Sequence, residues 1–258
     1  GNEKFADKRL KKFLKKTKQK KFYRFWKPSK YIEEDYNTDL ERLVEKYQEK
    51  GYRDAIIVTD SVFPGEDENT VNVYLKIVEG EKYYFRNINW VGNTQFTSNY
   101  LNQKLRIQEG DIYNQKLLTE RLSTDDDAVS NLYLDNGYLF FDLTPVEVGA
   151  SSDSIDLEMR IREGNQATIN NVIINGNTKT NEHVVRRELR TKPGQLFNKS
   201  ELIRSVRELA QLGHFNPEAI EPIPQPNPED GTVDIVFNLE ERPNDQVELS
   251  GGWGAGMF

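Results

Sequence analysis

The chain has 258 residues, enough for one large domain or for two to four small ones. Hydrophobic residues make up 36% and charged residues 30%, and no apolar run reaches the ~20 residues that a membrane helix needs. The absence of cysteine excludes disulfides and thiolate metal sites. The net charge of −7 hides an asymmetry, because residues 1–30 carry thirteen Lys or Arg and two acids, while the remainder is strongly acidic.

The sequence repeats itself with an offset of 84 residues. Gly-Asn-Thr stands at 92–94 and again at 176–178, and further matches follow at the same offset. A third copy begins at Gly1, where Gly-Asn stands again. Because repeats of this kind are the signature of tandem units, each copy is interpreted as one folding unit. The predicted units are residues 1–80, 81–164 and 165–242.

In chain order, each unit begins with a predicted strand and a Gly-Asn turn, since glycine and asparagine adopt positive φ at little cost. A short helix with apolar residues four apart comes next, and a second helix with an apolar stripe follows. Asn198 with Glu201, and Thr38 with Glu41, are placed to cap the first turn of that second helix. The second helix of the middle unit is predicted to be about eight residues longer than that of the third.

Two strands close each unit, and the last one is the clearest signal in the sequence. Between Ile155 and Ile161 apolar residues alternate with Asp, Glu and Arg, which is typical of a strand with one buried and one solvated face. The fold class is therefore predicted as α+β, with three tandem β-α-α-β-β units. Each unit is a three-stranded mixed sheet covered on one face by two helices. The first unit is expected to lack its own first strand.

This pattern resembles the POTRA (polypeptide-transport-associated) domain. A strand leading into Gly-Asn, two helices, a Gly-aromatic step and two closing strands carry the resemblance. The third unit matches best, at 176–178, 185–189, 213–215 and 233–236. Residues 248–254 resemble the first barrel strand that follows the repeats in BamA-like outer-membrane protein assembly factors. The resemblance implies three barrel-proximal POTRA repeats, with residues 243–258 as the start of a β-barrel strand.

The resemblance implies a non-enzymatic arm in the periplasm, tethered to the outer membrane through a C-terminal β-barrel. Its implied partners are unfolded outer-membrane proteins, periplasmic chaperones and accessory outer-membrane lipoproteins, with no cofactor and no nucleic acid. An open sheet edge can accept an extended peptide through its unpaired N–H and C=O groups. The second strand of the first unit is β-rich and mostly uncharged. It predicts a substrate-binding edge at Ala55, Ile56, Ile57, Val58 and Thr59, with an ordinary half-buried strand as the alternative.

A second predicted site lies on the first helix of the third unit. The resemblance implies a docking surface for accessory partners there, at the positions of Arg186, Arg187 and Glu188. If Val185 and Leu189 face inward, Arg187 faces outward. A solvated helix face is the alternative.

A basic, aromatic stretch between the helices of the first unit departs from the family pattern. The candidate residues for contact with a membrane surface or another polyanion are Lys15, Lys16, Lys20, Lys21, Phe22, Arg24 and Trp26. Aromatic side chains in lipid headgroups would suit a membrane surface, and base stacking with phosphate pairing would suit nucleic acid. A flexible insertion neutralised by the acidic remainder of the chain is the third alternative.

Signals for catalysis are weak. His183 and His214 are the only histidines and fall in different elements, and the acidic run at 125–127 is interpreted as a solvated helix face. No catalytic residue, metal site or cofactor is therefore predicted. Two other functions stay open: the arm of a two-partner secretion transporter, and a nucleic-acid-binding repeat protein that uses the lysine-rich segment.

Overall fold

A computed structural model describes residues 2–19, 30–67, 70–151 and 153–242. These residues form two compact units. The first unit holds residues up to 130 together with 142–163, and the second holds 131–141 with the described residues from 164 onward. The predicted barrel strand at 243–258 lies outside the described residues.

The first repeat contains two helices and one hairpin. Its elements are α1 (Asp7–Phe13), α2 (Glu33–Gln48), β1 (Ile56–Pro64) and β2 (Val71–Val78). The two strands pair in antiparallel fashion, with a β-bulge between Ile57 and Thr59. Within the described part of the chain they form a two-stranded sheet.

The helices of the first repeat cover one face of this hairpin. The buried core consists of Phe5, Leu10, Leu43, Tyr47, Ala55 and Ile77. The predicted helix cap at Thr38 is wrong, because α2 begins five residues earlier at Glu33. Thr38 lies inside the helix, and its hydroxyl donates to the carbonyl oxygen of Glu34 at 2.9 Å. An acidic first turn, Glu33 to Asp35, stabilises the helix start through the helix dipole instead.

The second repeat has a complete three-stranded sheet. Its elements are β3 (Tyr84–Val91), α3 (Ser98–Leu105), α4 (Gln115–Thr119), a π-helical turn (Glu120–Thr124), α5 (Val129–Leu134), β4 (Asp142–Ala150) and β5 (Ser154–Arg162). β5 lies in the centre, parallel to β3 and antiparallel to β4. The inward residues of β5, at alternate positions from Ile155 to Ile161, are buried as the alternation predicted.

The second helix of the middle repeat is broken, not continuous as predicted. The buried guanidinium of Arg121 donates to the carbonyl oxygens of Lys104 at 2.5 Å and Leu105 at 3.2 Å. It also binds the carboxylates of Asp125 and Asp127 at 2.9 and 2.7 Å. The prediction of a solvated helix face at 125–127 is therefore wrong for these two aspartates, which compensate a buried charge.

The third repeat has the same topology as the second. Its elements are β6 (Thr168–Asn175), α6 (Glu182–Glu188), α7 (Lys199–Gln211), a 3₁₀ turn (Pro217–Ala219), β7 (Glu221–Asn227) and β8 (Thr232–Asn238). β8 is central, parallel to β6 and antiparallel to β7. The predicted α+β class with mixed three-stranded sheets is thus confirmed. None of the helices in the described ranges is both long enough and apolar enough to cross a bilayer.

A glutamate after the last strand holds the Gly-Asn loop of its own repeat. Its carboxylate accepts hydrogen bonds of 2.6–3.0 Å from two consecutive backbone N–H groups of that loop. The donor pairs are Glu3 and Lys4 for Glu79, Thr94 and Gln95 for Glu163, and Lys179 and Thr180 for Glu241. An asparagine amide in each loop also donates to the carbonyl oxygen three residues on. These contacts explain why the glutamate and Gly-Asn recur together in the sequence.

Candidate functional site

The second strand of each repeat, β1, β4 or β7, lies at an edge of its sheet. The first strands differ, because the loop before the second helix already pairs with them. Phe85 N–H donates to the carbonyl oxygen of Asp111 at 2.9 Å, and Ile169 N–H donates to that of Gln195 at 2.8 Å. β3 and β6 are therefore partly closed by their own repeats, and the second strands are the better candidates for accepting a peptide.

The β1 edge presents backbone groups that no described strand pairs. Gly65 N–H donates to the carbonyl oxygen of Thr70 at 2.8 Å, which fixes the alternation of the hairpin. Ser61 and Phe63 then bond to β2, since hydrogen-bonded pairs of an antiparallel ladder fall at every second residue. Asp60 and Val62 consequently direct their N–H and C=O groups to the open edge.

An apolar groove of about 380 Å³ runs beside this edge. Its walls include Leu40, Glu41 and Val44 from α2, and Ala55, Ile57 and Asp60 from the hairpin side. An added strand would place every second side chain over the groove, because side chains alternate between the two faces of a sheet. The groove therefore offers apolar contact in addition to backbone hydrogen bonds.

The predicted substrate-binding residues form the first part of this edge. Ala55 precedes the strand and is 2% exposed, so it forms a wall of the groove but offers no free edge of its own. Ile56 and Ile57 begin β1, and Val58 lies at the bulge. The strand continues to Pro64, so the accessible edge is longer than the segment that the sequence indicated.

Prolines distinguish the β4 and β7 edges from the β1 edge. A proline has no N–H and is tolerated in a sheet only where its nitrogen faces away from the ladder. β4 has Pro145 near its middle, and β7 has Pro222, Pro224 and Pro226 at alternate positions. The open edge of β7 therefore lacks three consecutive donors, whereas β1 has no proline before Pro64.

A side chain of the β4 edge also makes contacts within the compact unit that holds the first two repeats. Tyr113 O–H donates to Glu147 Oε1 at 2.9 Å, and Arg53 Nη2 lies 2.5 Å from Glu147 Oε2. Burial, and then the hydrogen bond to Glu147, raise the pKa of the Tyr113 hydroxyl, which stays protonated as the donor. Glu147 is thus committed to structural contacts.

The predicted docking residues all lie on α6. Val185 and Leu189 are buried, and Arg186 and Arg187 are exposed. Arg186 Nη2 donates to the carbonyl oxygen of Val172 at 3.0 Å, so this arginine also ties α6 to β6. Arg187 is the more exposed of the two arginines and pairs with the half-buried Glu188 at 2.8 Å.

Only the beginning of the basic stretch falls in the described residues. The buried carboxylate of Asp39 accepts from the N–H groups of Lys15 at 2.9 Å and Lys16 at 2.8 Å, which anchors this segment to α2. Lys16 Nζ also pairs with Asp35 at 2.8 Å. The other candidates, Lys20, Lys21, Phe22, Arg24 and Trp26, lie outside the described residues. In the part of the chain that the structure covers, no group of three or more His, Asp or Glu residues is arranged to hold a metal ion.

The repeats match a known family. The family model for POTRA, described as a surface antigen variable number repeat, matches residues 1–80, 83–164 and 167–242. The chain therefore belongs to the POTRA family.

Relatives cover the chain from end to end. A candidate outer membrane protein assembly factor of Treponema pallidum (strain Nichols) is 29% identical over the whole chain and 31% of its own length. The outer membrane protein assembly factor BamA of Neisseria meningitidis serogroup B is 25% identical over 98% of the chain and 31% of its own length. The predicted resemblance to POTRA repeats of BamA-like factors is thus confirmed, and the chain spans about a third of the length of these relatives.

A solved structure confirms the fold. The crystal structure of POTRA3-5 of Haemophilus influenzae BamA superposes with a TM-score of 0.71 and covers 93% of each chain, at 20% identity. At this identity the likeness concerns the arrangement of helices and strands.

Proposed function

We propose that this chain is the periplasmic POTRA arm of a BamA-like protein, which receives unfolded outer-membrane β-barrel proteins by transient strand addition. The observation that carries the proposal is the β1 edge, where Asp60 and Val62 offer backbone groups that no described strand pairs, beside an apolar groove. Strand addition is an established mode of peptide recognition and needs both features. In this proposal the chain binds and positions its substrate and carries out no chemistry.

The expected strength of the interaction suits a transfer step. Four or five new backbone hydrogen bonds contribute roughly 0.5–1.5 kcal/mol each. Association itself costs at least ~4 kcal/mol. The complex should therefore be weak and short-lived, and it should depend on the backbone of the substrate more than on its sequence.

The other partners of the proposal follow from the relatives, which are outer membrane protein assembly factors. Periplasmic chaperones would deliver the substrate, and a C-terminal barrel in the full-length protein would tether the arm to the outer membrane. Accessory lipoproteins would dock on α6, where the exposed Arg187 pairs with Glu188. The basic segment that begins at Lys15 is proposed to contact an anionic surface.

Proline substitution at the open edge tests the proposal. Val62→Pro removes one outward N–H without removing a ladder bond, whereas Val62→Ala keeps that N–H and serves as the matched control. An extended outer-membrane-protein peptide should perturb the amide signals of Asp60 and Val62 in an NMR titration of the wild-type chain. Val62→Pro should weaken this binding severalfold, and Val62→Ala should leave it nearly unchanged.

Two results would contradict strand addition at β1. Signal changes confined to helix faces would indicate a different mode of binding. Changes at Val73 and Leu75, whose amides point to the opposite side of the hairpin, would place the peptide on β2 instead.

A further inference from the structure

Two exposed carboxylates flank the groove beside β1. Glu41 on α2 and Asp60 on β1 both line it and are both exposed. In the described ranges, neither side chain has a hydrogen-bond or salt-bridge partner. Asp60 is also the only charged residue of β1.

Two other acids of the same helix have basic partners. Asp35 pairs with Lys16 at 2.8 Å, and Asp39 pairs with Arg42 at 2.8 Å. Glu41 is the acid that α2 contributes to the lining of the groove, and Asp60 is the one that β1 contributes. A strand added along β1 would lie beside the groove that both residues line.

We infer that the β1 groove selects extended segments that carry Lys or Arg beside a row of apolar residues, and rejects those that carry acids there. The inference rests on the proposed function, because it assigns a chemical preference to the same edge. Apolar side chains would fill the groove between Leu40, Val44 and Ile57, and a basic side chain at either end of the row would meet Glu41 or Asp60. Opposite charges attract and like charges are excluded, so both terms contribute to selection.

The expected preference is moderate. Exposed ion pairs contribute roughly 0.2–1 kcal/mol each, which for two pairs corresponds to about a twofold to thirtyfold difference in affinity. Salt should reduce the difference, because exposed charges are screened over a Debye length of about 8 Å at physiological ionic strength. Backbone bonding itself should depend little on salt.

Two matched peptides test the inference. Each has nine residues with blocked ends, threonine at every second position and three valines between them, and one peptide has lysine at both ends while the other has glutamate. Affinities for the wild-type chain are measured by fluorescence anisotropy at low and at high salt. The lysine peptide should bind about twofold to thirtyfold more tightly at low salt.

Matched variants separate the groove from the net charge of the molecule. The double variant Glu41→Gln with Asp60→Asn should bring the affinity ratio close to one. The control Glu109→Gln with Glu229→Gln changes the net charge equally at exposed positions that do not line the groove, and should keep the ratio. Equal loss of preference in both double variants would overturn the inference in favour of overall charge.

The remaining outcomes distinguish the inference from the proposed function. If both peptides bind the wild-type chain equally and perturb the amides of Asp60 and Val62, strand addition stands and the charge preference is refuted. If neither peptide binds, the strand-binding edge is refuted, and the charge preference with it.

Discussion

Glu79 shows how one carboxylate closes a repeat. It accepts hydrogen bonds from the N–H groups of Glu3 and Lys4 and from the hydroxyl of Tyr47, at 2.7–2.8 Å. Burial raises the pKa of this glutamate, but the hydrogen bonds from Lys4, Tyr47 and Glu3 outweigh burial and hold the pKa below its usual range. The charged form is therefore the one that stabilises the fold.

Replacing this glutamate should destabilise the first repeat. Glu79→Gln keeps the shape, but it removes the charge and exchanges one acceptor oxygen for a donor that faces N–H groups. Hydrogen bonds to charged groups contribute about 1.5–3 kcal/mol, so the free energy of unfolding should fall by about that amount in urea denaturation. Glu81→Gln, two residues away and exposed, is the control, and an equal effect in both variants would contradict the assignment.

Acid should destabilise the protein through carboxylates of this kind. Hydrogen bonds from Arg86 lower the pKa of Asp156 to about 2, and bonds from the Thr178 hydroxyl and the Thr180 N–H overcome the effect of burial and lower that of Glu241 to about 2. These pKa values lie below the unfolded values of about 4, so the stabilisation is complete above pH ~4 and is lost as the pH falls towards 2.

A pH series of thermal unfolding checks this expectation. The wild-type melting temperature should drop between pH 4.5 and pH 2.5, and Asp156→Asn should lower the melting temperature at pH 7 while flattening part of that drop. The variant Glu109→Gln serves as the exposed control. An unchanged pH dependence in Asp156→Asn would show that its ion pair does not contribute.

The sequence revealed these residues only in part. The glutamate and the Gly-Asn turn were visible as recurring letters, but their contact was not, because Glu79 and its donors lie 75 and 76 residues apart. Local sequence patterns indicate contacts between residues that are close along the chain. A carboxylate that binds a distant loop produces no such pattern. Asn198, by contrast, was predicted as a helix cap and accepts from Glu201 N–H at 2.8 Å, since a cap is a contact between near neighbours.

At the scale of whole elements, the three second strands differ as peptide acceptors. β7 has the same place in its sheet as β4, yet Pro222, Pro224 and Pro226 remove the outward donors from its open edge. An edge protected in this way resists pairing with other chains.

Restoring the donors should open that edge. The triple variant Pro222→Thr, Pro224→Thr and Pro226→Thr should either bind an extended peptide or self-associate through β7, as measured by NMR titration and sedimentation. Gln225→Thr alters the same strand at a residue that already bonds to β8, and should do neither. A triple variant that stays folded, monomeric and unable to bind peptide would show that proline is not what closes β7.

The sequence predicted the bounds of an element correctly where the element buries one face. The prediction was wrong where a residue distant in the sequence contacts the element. Alternation from Ile155 to Ile161 predicted β5 correctly, because that strand packs one face on helices and leaves the other solvated. The middle repeat's second helix was predicted as continuous, but Arg121 binds carbonyl oxygens 16 and 17 residues earlier in the chain. The spacing of apolar residues along a helix cannot indicate a hydrogen bond to a carbonyl oxygen so far away in the chain.

At the scale of the whole molecule, the first two repeats share one compact unit and meet at Gly51. Tyr83 N–H donates to the Gly51 carbonyl oxygen at 2.9 Å, and Tyr83 O–H donates to Asp54 at 2.9 Å. Gly51 has a φ of +94°, and a Cβ there would lie 2.8 Å from the Ile112 side chain and 3.1 Å from the Tyr83 carbonyl oxygen. The junction therefore requires glycine for two separate reasons.

A comparison of two glycines separates these reasons. Gly51→Ala and Gly110→Ala both place alanine at positive φ, but nothing lies within 4 Å of a Cβ at Gly110. The backbone term should cost about 1–2 kcal/mol in each variant, and Gly51→Ala should cost about 1–3 kcal/mol more through steric overlap. Urea denaturation measures the free energy of unfolding of both variants. Equal decreases would mean that the residues around Gly51 move to accommodate the Cβ without an energetic cost.

The glutamate that ties the end of each repeat back to its opening loop has a consequence for how such arms can lengthen or shorten. A deletion that starts inside one repeat and stops inside the next preserves the pattern only when it removes a full period. Any other cut leaves a carboxylate without its loop, or a loop without its carboxylate. Repeats should therefore be gained and lost only as complete copies.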